Sequence, residues 1–133
     1  MNRRILIIGG TGFIGSAVCD DFLDSGDEVT LFHREVGKEV REHLNLVHIL
    51  GDRKSPPQEL KRMKFDIVID TCGYNSKDFH ILDFLNFQHY IFISSVAVFS
   101  KQISPFSTES GPKIDEDHLD LSDCLSVRRF RQI

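Results

Sequence analysis

Residues 3–15 read RRILIIGGTGFIG, and this stretch decides the fold. Its first part, Arg3–Ile8, is a short apolar run rich in isoleucine, which is typical of a strand covered on both faces. Glycines follow at positions 9, 12 and 15. From Phe13 the apolar residues recur at helical spacing, and Gly26 is a typical residue to end that helix. The stretch therefore predicts a strand, a glycine-rich turn and a helix, in that order.

The same alternation of strand and helix patterns continues downstream. Further strands are predicted at Glu28–His33, Leu46–Leu50, Phe65–Asp70 and His89–Ser94. A short helix is predicted over residues 56–63, and a second one from Ser76, its expected N-cap, through about Phe87. Strands separated by helices form a parallel sheet with right-handed crossovers. We therefore predict a doubly wound, Rossmann-like α/β domain of about five strands in the order 3-2-1-4-5.

We expect this domain to occupy residues 1–100. Residues 101–133 are expected to be irregular, because the segment after Ser100 is polar and contains two prolines. The ending CLSVRRFRQI leaves a helix and a disordered tail as alternatives.

The composition argues against several classes of protein. The chain has 133 residues and a net charge of −4, which argues against general nucleic-acid binding. Its three widely spaced cysteines include no CxxC pair and no metal-ligand spacing. We therefore expect reduced thiols, no metal site and a cytoplasmic protein. No apolar stretch approaches the length of a membrane span.

Each glycine of the turn has a physical reason to be present if the turn holds a dinucleotide. Gly9 permits a sharp turn off the strand, Gly12 lets a pyrophosphate approach the backbone, and Gly15 lets the helix pack close to the sheet. The helix N–H groups and dipole favour the phosphates. The alternative is a tight turn without a ligand, but a strand before it and a helix after it favour the cofactor. The residues predicted to bind the cofactor here are Gly9, Thr11, Gly12, Phe13, Ile14 and Gly15.

The end of the second predicted strand bears on the choice between NAD and NADP. An acidic residue there bonds the ribose 2′-hydroxyl of NAD, while an arginine accommodates the 2′-phosphate of NADP. Here His33 stands where the acid is expected, and Arg34 follows it. We predict that both contact the cofactor and that NADP is preferred over NAD. The alternatives are that both side chains face solvent, or that Glu35 turns inward and reverses the preference.

With these residues placed, the chain resembles the extended and atypical short-chain dehydrogenase/reductase superfamily. Within it, the chain is similar to the NAD-dependent epimerase/dehydratase family. The matching motifs are GGTGFIG at 9–15, VTLFHR at 29–34, GD at 51–52, TCG at 71–73 and SSVAVF at 94–99. The resemblance spans about residues 3–117.

The resemblance implies further contacts with the cofactor. Asp52 would contact the adenine amino group, with Arg53 beside the ring, and Ser94 would also belong to the site. The middle of the cofactor would be lined by Thr71, Cys72 and Gly73. The simpler alternatives are that Asp52 only starts a turn, that Cys72 is a small buried apolar residue, and that Gly73 only permits a turn.

The resemblance also implies a catalytic set of which this chain has one member. Ser95 aligns with the hydroxyl that holds the substrate oxygen, but the Tyr-x-x-x-Lys pair is absent. Tyr74 and Lys77 do not replace it, because their spacing differs. The acidic cluster at 115–123 is expected to be a solvated loop rather than a source of catalytic groups. We expect a chain that is truncated relative to the family and inert alone, through truncation or a frameshift of the gene; the alternative is a natural short member that kept cofactor binding and lost the chemistry.

Three functions are compatible with these patterns. The first is the NAD(P)-binding domain of an epimerase, dehydratase or reductase that acts on a sugar nucleotide or a similar substrate. The second is a regulatory module that senses NADP(H), and the third is an RNA-associated member of the family, which the net charge disfavours. We also expect self-association through an exposed sheet edge.

Overall fold

A computed structural model of the chain describes residues 2–34 and 42–94, nearly all of which belong to the unit Met1–Ile93. Five strands form one parallel sheet in the order β3-β2-β1-β4-β5. The strands are β1 (Arg4–Ile8), β2 (Glu28–His33), β3 (Leu46–Leu50), β4 (Lys64–Asp70) and β5 (Asn86–Phe92). The helices are α1 (Phe13–Asp24), α2 (Gln58–Arg62) and a 3₁₀ helix (Ser76–Phe84). The predicted fold class and strand order are confirmed.

The central strand β1 is buried on both faces because its side chains alternate between two cores. Ile5 and Ile7 pack in the core that α1 completes with Cys19 and Leu23. The next residues along the strand point to the opposite face, where the second core contains Leu6, Ile8, Phe32, Leu60 and Ile81. This arrangement explains why the strand reads as an uninterrupted apolar run. It also places the glycine turn at the carboxyl edge of the sheet, between its two halves.

The chain after β4 differs most from the sequence prediction. The helix predicted from Ser76 to about Phe87 is a 3₁₀ helix that ends at Phe84, and its N-cap is Asn75 rather than Ser76. The Asn75 side chain accepts the backbone N–H of Asp78, whose carboxylate accepts the N–H of Asn75, so the two form a capping box.

The last strand of the sheet begins earlier than predicted. β5 starts at Asn86, not His89, and ends at Phe92, not Ser94. Phe87 pairs with Phe65 of β4 and packs against the second core, which accounts for the change from helix to strand. Because β5 is an edge strand within the described residues, most of its side chains are exposed and its pattern is not that of a buried strand.

Two further expectations bear on the limits of the domain. The boundary predicted at residue 100 and the irregular segment 101–133 lie outside the described residues, so both stay predictions. Among the helices of the described part, none has the length and hydrophobicity needed to cross a membrane.

Candidate functional site

The glycine turn is packed too tightly for side chains at two of its three predicted positions. Gly9 has a φ of +83°, and a Cβ there would lie 2.7 Å from the Cys72 Sγ and 2.9 Å from the Thr71 Oγ1. A Cβ on Gly15 would lie 2.6 Å from the Cα of Gly10. The first glycine therefore permits both the turn and its contact with the end of β4, and the third permits α1 to lie against the turn.

The N-terminus of α1 fits an anionic group such as a diphosphate. Its N-cap is Gly12, no side chain caps the helix, and no acidic residue occupies the first turn. The first intrahelical bond runs from the Ser16 N–H to the Gly12 carbonyl, so the preceding N–H groups have no carbonyl within the helix. Nothing lies within 4 Å of the place where a Cβ on Gly12 would be. The Phe13 and Ile14 side chains are exposed beside this open space.

The two residues at the end of β2 have different environments. His33 is buried, and its Nε2 lies 3.0 Å from the Nδ1 of His48 on β3, with the rings edge to face. Burial and the neighbouring His33 lower the pKa of His48. Arg34 is exposed. Of the two side chains that could have faced solvent, Arg34 does and His33 does not. Glu35 lies outside the described residues.

Asp52, after β3, forms a turn with the residues that follow it. Its carboxylate accepts the Lys54 N–H at 2.8 Å, and its carbonyl accepts the Ser55 N–H at 2.9 Å. The Asp52 side chain is exposed. Asp52 thus starts a turn, as the simpler alternative for this residue expects. Its exposed carboxylate can still accept a further hydrogen bond.

Arg53 points inward rather than toward solvent. Its Nη1 and Nη2 donate to the two carboxylate oxygens of Asp70 at 3.2 and 2.6 Å. Its Nε and Nη2 also donate to the Asp78 carbonyl, at 3.0 and 2.6 Å. Burial by itself would lower the pKa of Arg53, but the bond to Asp70 and the charge of that carboxylate outweigh it and raise the pKa. The guanidinium is therefore a permanent cation in this cluster.

The Asp70 carboxylate has two further donors, and they limit what the cluster can do chemically. It accepts the Cys72 N–H at 3.0 Å and the Tyr90 hydroxyl at 3.2 Å. Burial and the Asp70 charge raise the pKa of Tyr90, and the same two causes raise the pKa of the Cys72 thiol. Tyr90 therefore stays protonated at neutral pH and does not act as a base, and Cys72 is a thiol rather than a thiolate.

The loop after β4 lies against the glycine turn. The Thr71 hydroxyl donates to the carbonyl oxygens of Ile8 at 3.1 Å and Gly9 at 3.0 Å. Gly73 does not have a positive φ, and a Cβ there would lie 3.0 Å from the Phe92 ring, so a side chain would require that ring to shift. The carboxyl ends of β1 and β4 thus meet at the switch in strand order, where open α/β sheets bind their ligands.

The structure brings together the glycine turn and the Thr71–Gly73 loop, and it places His33 and Arg34 at the neighbouring strand end. Sequence reasoning missed three members of the cluster around Arg53, which are Asp70, Asp78 and Tyr90. The acid at the end of the apolar run FDIVID was the available signal for Asp70.

Of the serine pair, Ser94 is exposed, and Ser95 lies outside the described residues. No group of three metal-ligating side chains occurs within residues 2–34 and 42–94.

Sequence comparisons find a family match over most of the described residues. The sequence model of the NAD dependent epimerase/dehydratase family matches residues 5–85. The chain is also similar to the chloroplast stem-loop binding protein of 41 kDa b of Arabidopsis thaliana, with 30% identity over 135 aligned residues. That match covers 89% of this chain and 34% of the relative, so the chain spans about a third of the curated relative's length.

Three solved structures show the same fold over about half of their own length. An epimerase from Methanothermobacter thermautotrophicus is 17% identical, with a TM-score of 0.71, and the match covers 99% of this chain and 48% of that one. A UDP-N-acetylglucosamine 4-epimerase from Methanobrevibacter ruminantium, in complex with UDP-N-acetylmuramic acid, is 24% identical, with a TM-score of 0.69 and coverages of 98% and 51%. The enzyme WbmG of Bordetella bronchiseptica, in complex with NAD and UDP, is 16% identical, with a TM-score of 0.69 and coverages of 86% and 44%.

Proposed function

The chain belongs to the NAD-dependent epimerase/dehydratase family, and we propose that it binds a nicotinamide dinucleotide across the carboxyl edge of its sheet. The observation that carries the proposal is the N-terminus of α1. It offers unpaired N–H groups, a glycine N-cap with open space around it, and no acidic side chain in its first turn. Thr71 and Cys72 lie against Gly9 on the other side of the turn, where the middle of the cofactor would lie.

The two ends of the cofactor have proposed neighbours as well. The exposed Asp52 carboxylate is the proposed acceptor for the adenine amino group, and His33 and Arg34 lie at the strand end proposed to contact the adenosine ribose. Ser94 and Ser95 follow β5, whose carboxyl end is the proposed neighbour of the nicotinamide. When bound, the nicotinamide would supply hydride transfer, and a serine hydroxyl can hold a substrate oxygen but cannot act as the base.

We propose that this chain alone is inert and that the substrate of the whole protein is a sugar nucleotide or a similar compound. The names of two fold relatives, a UDP-N-acetylglucosamine 4-epimerase and an enzyme in complex with UDP, support that class. The only tyrosine on a described strand, Tyr90, is bonded to Asp70 and has a raised pKa, which favours inertness.

Calorimetric titration of the chain with NADPH and with NADH tests the proposed function. Binding of at least one of them in the micromolar to millimolar range is expected. No heat from either at millimolar concentration would contradict it. Turnover of a UDP-sugar with NADPH or NAD by this chain alone would contradict inertness while leaving cofactor binding intact.

A second candidate function is RNA binding, and its support is the name of the stem-loop binding relative. The net charge of −4 disfavours it for the chain as a whole. A gel-shift titration with a stem-loop RNA, repeated with NADPH present, would show whether the two ligands compete. NADPH binding by a chain without turnover is also what a regulatory NADP(H)-sensing module would show, and such a role in the cytoplasm is the alternative interpretation of that binding.

Self-association belongs to the same proposal. Val47 and Leu50 on β3 and Ile91 on β5 are each about half exposed, and these strands are the two edges of the described sheet. Such apolar edges invite pairing with another chain. Sedimentation of the chain over a range of concentrations should show dimers, and a monomer at every concentration would oppose the proposal.

The Arg34→Ser substitution should separate NADP from NAD. The guanidinium is exposed at the end of β2, where a 2′-phosphate would accept charge-assisted bonds worth about 1.5–3 kcal/mol. We expect NADPH affinity to fall roughly tenfold or more while NADH affinity changes less than about twofold. Arg4→Ser is the matched control, because Arg4 carries the same charge and is exposed at the amino end of β1, away from the carboxyl ends of the strands. Equal losses for both cofactors would remove the case for NADP preference.

A further inference from the structure

Two carboxylates hold the backbone of the segment that follows β4. The Asp70 carboxylate accepts the Cys72 N–H at 3.0 Å. Eight residues later, the Asp78 carboxylate accepts the N–H groups of Tyr74 at 2.9 Å and Asn75 at 3.3 Å. Both side chains are buried. The conformation of residues 70–78 therefore depends on where these two acids are held.

One guanidinium from a distant part of the chain joins the two ends of this segment. Arg53 follows β3, at the edge of the sheet, yet it donates to both oxygens of Asp70 and to the Asp78 carbonyl. Its side chain is 11% exposed and that of Asp70 is fully buried. The planar arginine guanidinium has five N–H groups and can bond three acceptors in fixed directions. A lysine ammonium cannot do this.

Two residues of this segment, Thr71 and Cys72, contact the glycine turn directly. Thr71 donates its hydroxyl to the Gly9 carbonyl, and Cys72 occupies the space beside Gly9 that a side chain would need. The Cys72 N–H is in turn fixed by Asp70. A continuous set of contacts thus runs from Arg53 through Asp70 to the turn that is proposed to hold the diphosphate.

We propose that Arg53 is a positioning residue for the cofactor site: it holds the Thr71–Gly73 loop against Gly9 and does not bind the adenine ring. This assignment rests on the proposed cofactor binding and differs from the expectation that Arg53 lies beside the adenine. Its donors already have protein acceptors at 2.6–3.2 Å before any ligand binds. An ordered loop has less conformational freedom to lose on binding, so Arg53 raises affinity for the part of the ligand that touches this loop.

Two ligands distinguish positioning from direct contact. Adenosine 2′,5′-bisphosphate carries the adenine, the 2′-phosphate and one 5′-phosphate, but lacks the second phosphate and the nicotinamide ribose that would reach residues 71–73. NADPH carries all of them. The variant is Arg53→Met with Asp70→Asn, because the pair of changes removes both members of the ion pair and keeps an amide oxygen for the Cys72 N–H.

In this double variant we expect NADPH affinity to fall roughly tenfold, while affinity for adenosine 2′,5′-bisphosphate changes less than about twofold. The Arg53→Lys variant is a second test, because it keeps the positive charge at this position. Its affinity for NADPH should fall by a smaller factor, and its affinity for adenosine 2′,5′-bisphosphate should not change. Thermal unfolding of each variant, without ligand, confirms that the compared chains are folded.

Three outcomes would overturn the assignment. Equal losses for the two ligands would mean that Arg53 contacts the adenosine half directly. Unchanged affinity for both in a folded variant would mean that the cluster only stabilises the fold. If the parent chain bound neither NADPH nor NADH, the proposed function would fail and the assignment with it; if it bound NADH alone, NADH and 5′-AMP replace the two ligands in the same comparison.

Discussion

Replacing Gly15 with alanine should strongly destabilise the domain, although the change adds a single methyl group. The added Cβ would lie 2.6 Å from the Gly10 Cα, 2.9 Å from the Gly10 carbonyl carbon and 2.9 Å from the Gly9 oxygen. All three atoms are backbone and belong to the turn, so no side-chain rotation relieves the contact. Either α1 moves away from the sheet or the turn is displaced, and overpacking of this kind costs about 3 kcal/mol.

Thermal unfolding followed by circular dichroism measures this effect. For a domain of this size about 3 kcal/mol corresponds to a decrease in Tm of more than about 10 °C. The buried face of α1, which includes Cys19 and Leu23, would lose part of its packing at the same time. A Gly15→Ala chain with an unchanged Tm would show that the helix does not pack on the turn as described.

Gly12→Ala is the matched control, because it makes the same chemical change three residues earlier. Nothing lies within 4 Å of its added Cβ, and its φ of −92° suits any residue. The cost should stay below about 1 kcal/mol, since alanine is only a poorer N-cap than glycine. The methyl group would, however, occupy the open space proposed for the diphosphate. We therefore expect a nearly unchanged Tm and a loss of NADPH binding from Gly12→Ala.

Sequence alone predicted the strands that read as short apolar runs, whether they are largely buried, as β1, β2 and β4 are, or mostly exposed, as β3 is. β2 and β3 begin and end where they were predicted, and β1 and β4 each differ by one residue at their start. The helix–strand boundary near Phe87 was wrong for a physical reason. β5 is exposed along most of its length, so its sequence carries polar residues that no buried strand would have. Its strand character comes from pairing with β4, which is a long-range interaction.

The residues of the candidate site also differ in how far the sequence alone predicts their arrangement. The glycine turn could be predicted because Gly9 and Gly15 meet local requirements of backbone conformation and close packing. The buried pair of Arg53 and Asp70 could not, because its partners are 17 residues apart and meet only after β3 and β4 are placed in the sheet. The pairing of His33 with His48 likewise depends on the register of β2 and β3. Residue type at these positions suggests chemistry, but only the sheet shows which groups face each other.

The Asp70→Leu substitution should be the most destabilising change within the Arg53 cluster. It removes a carboxylate that is fully buried and leaves the Arg53 guanidinium, 11% exposed, without its counter-charge. The Cys72 N–H and the Tyr90 hydroxyl lose the same acceptor. Breaking one side of a buried ion pair costs about 3–5 kcal/mol, because the remaining charge stays in a site with little water. That loss is a large share of the roughly 5–15 kcal/mol by which a typical domain is stable.

A double-mutant cycle separates the broken pair from the missing carboxylate itself. Arg53→Met combined with Asp70→Leu removes both charges, so the double variant should lose clearly less stability than the sum of the two single variants, although the Cys72 N–H and the Tyr90 hydroxyl still lack their acceptor. The free energy of unfolding is measured by urea denaturation of the parent, both single variants and the double variant, with the slopes compared to confirm a common unfolded state. If the double variant were as unstable as the sum of the singles, the two residues would act independently. The ion pair would then not be what joins β3 to the end of β4.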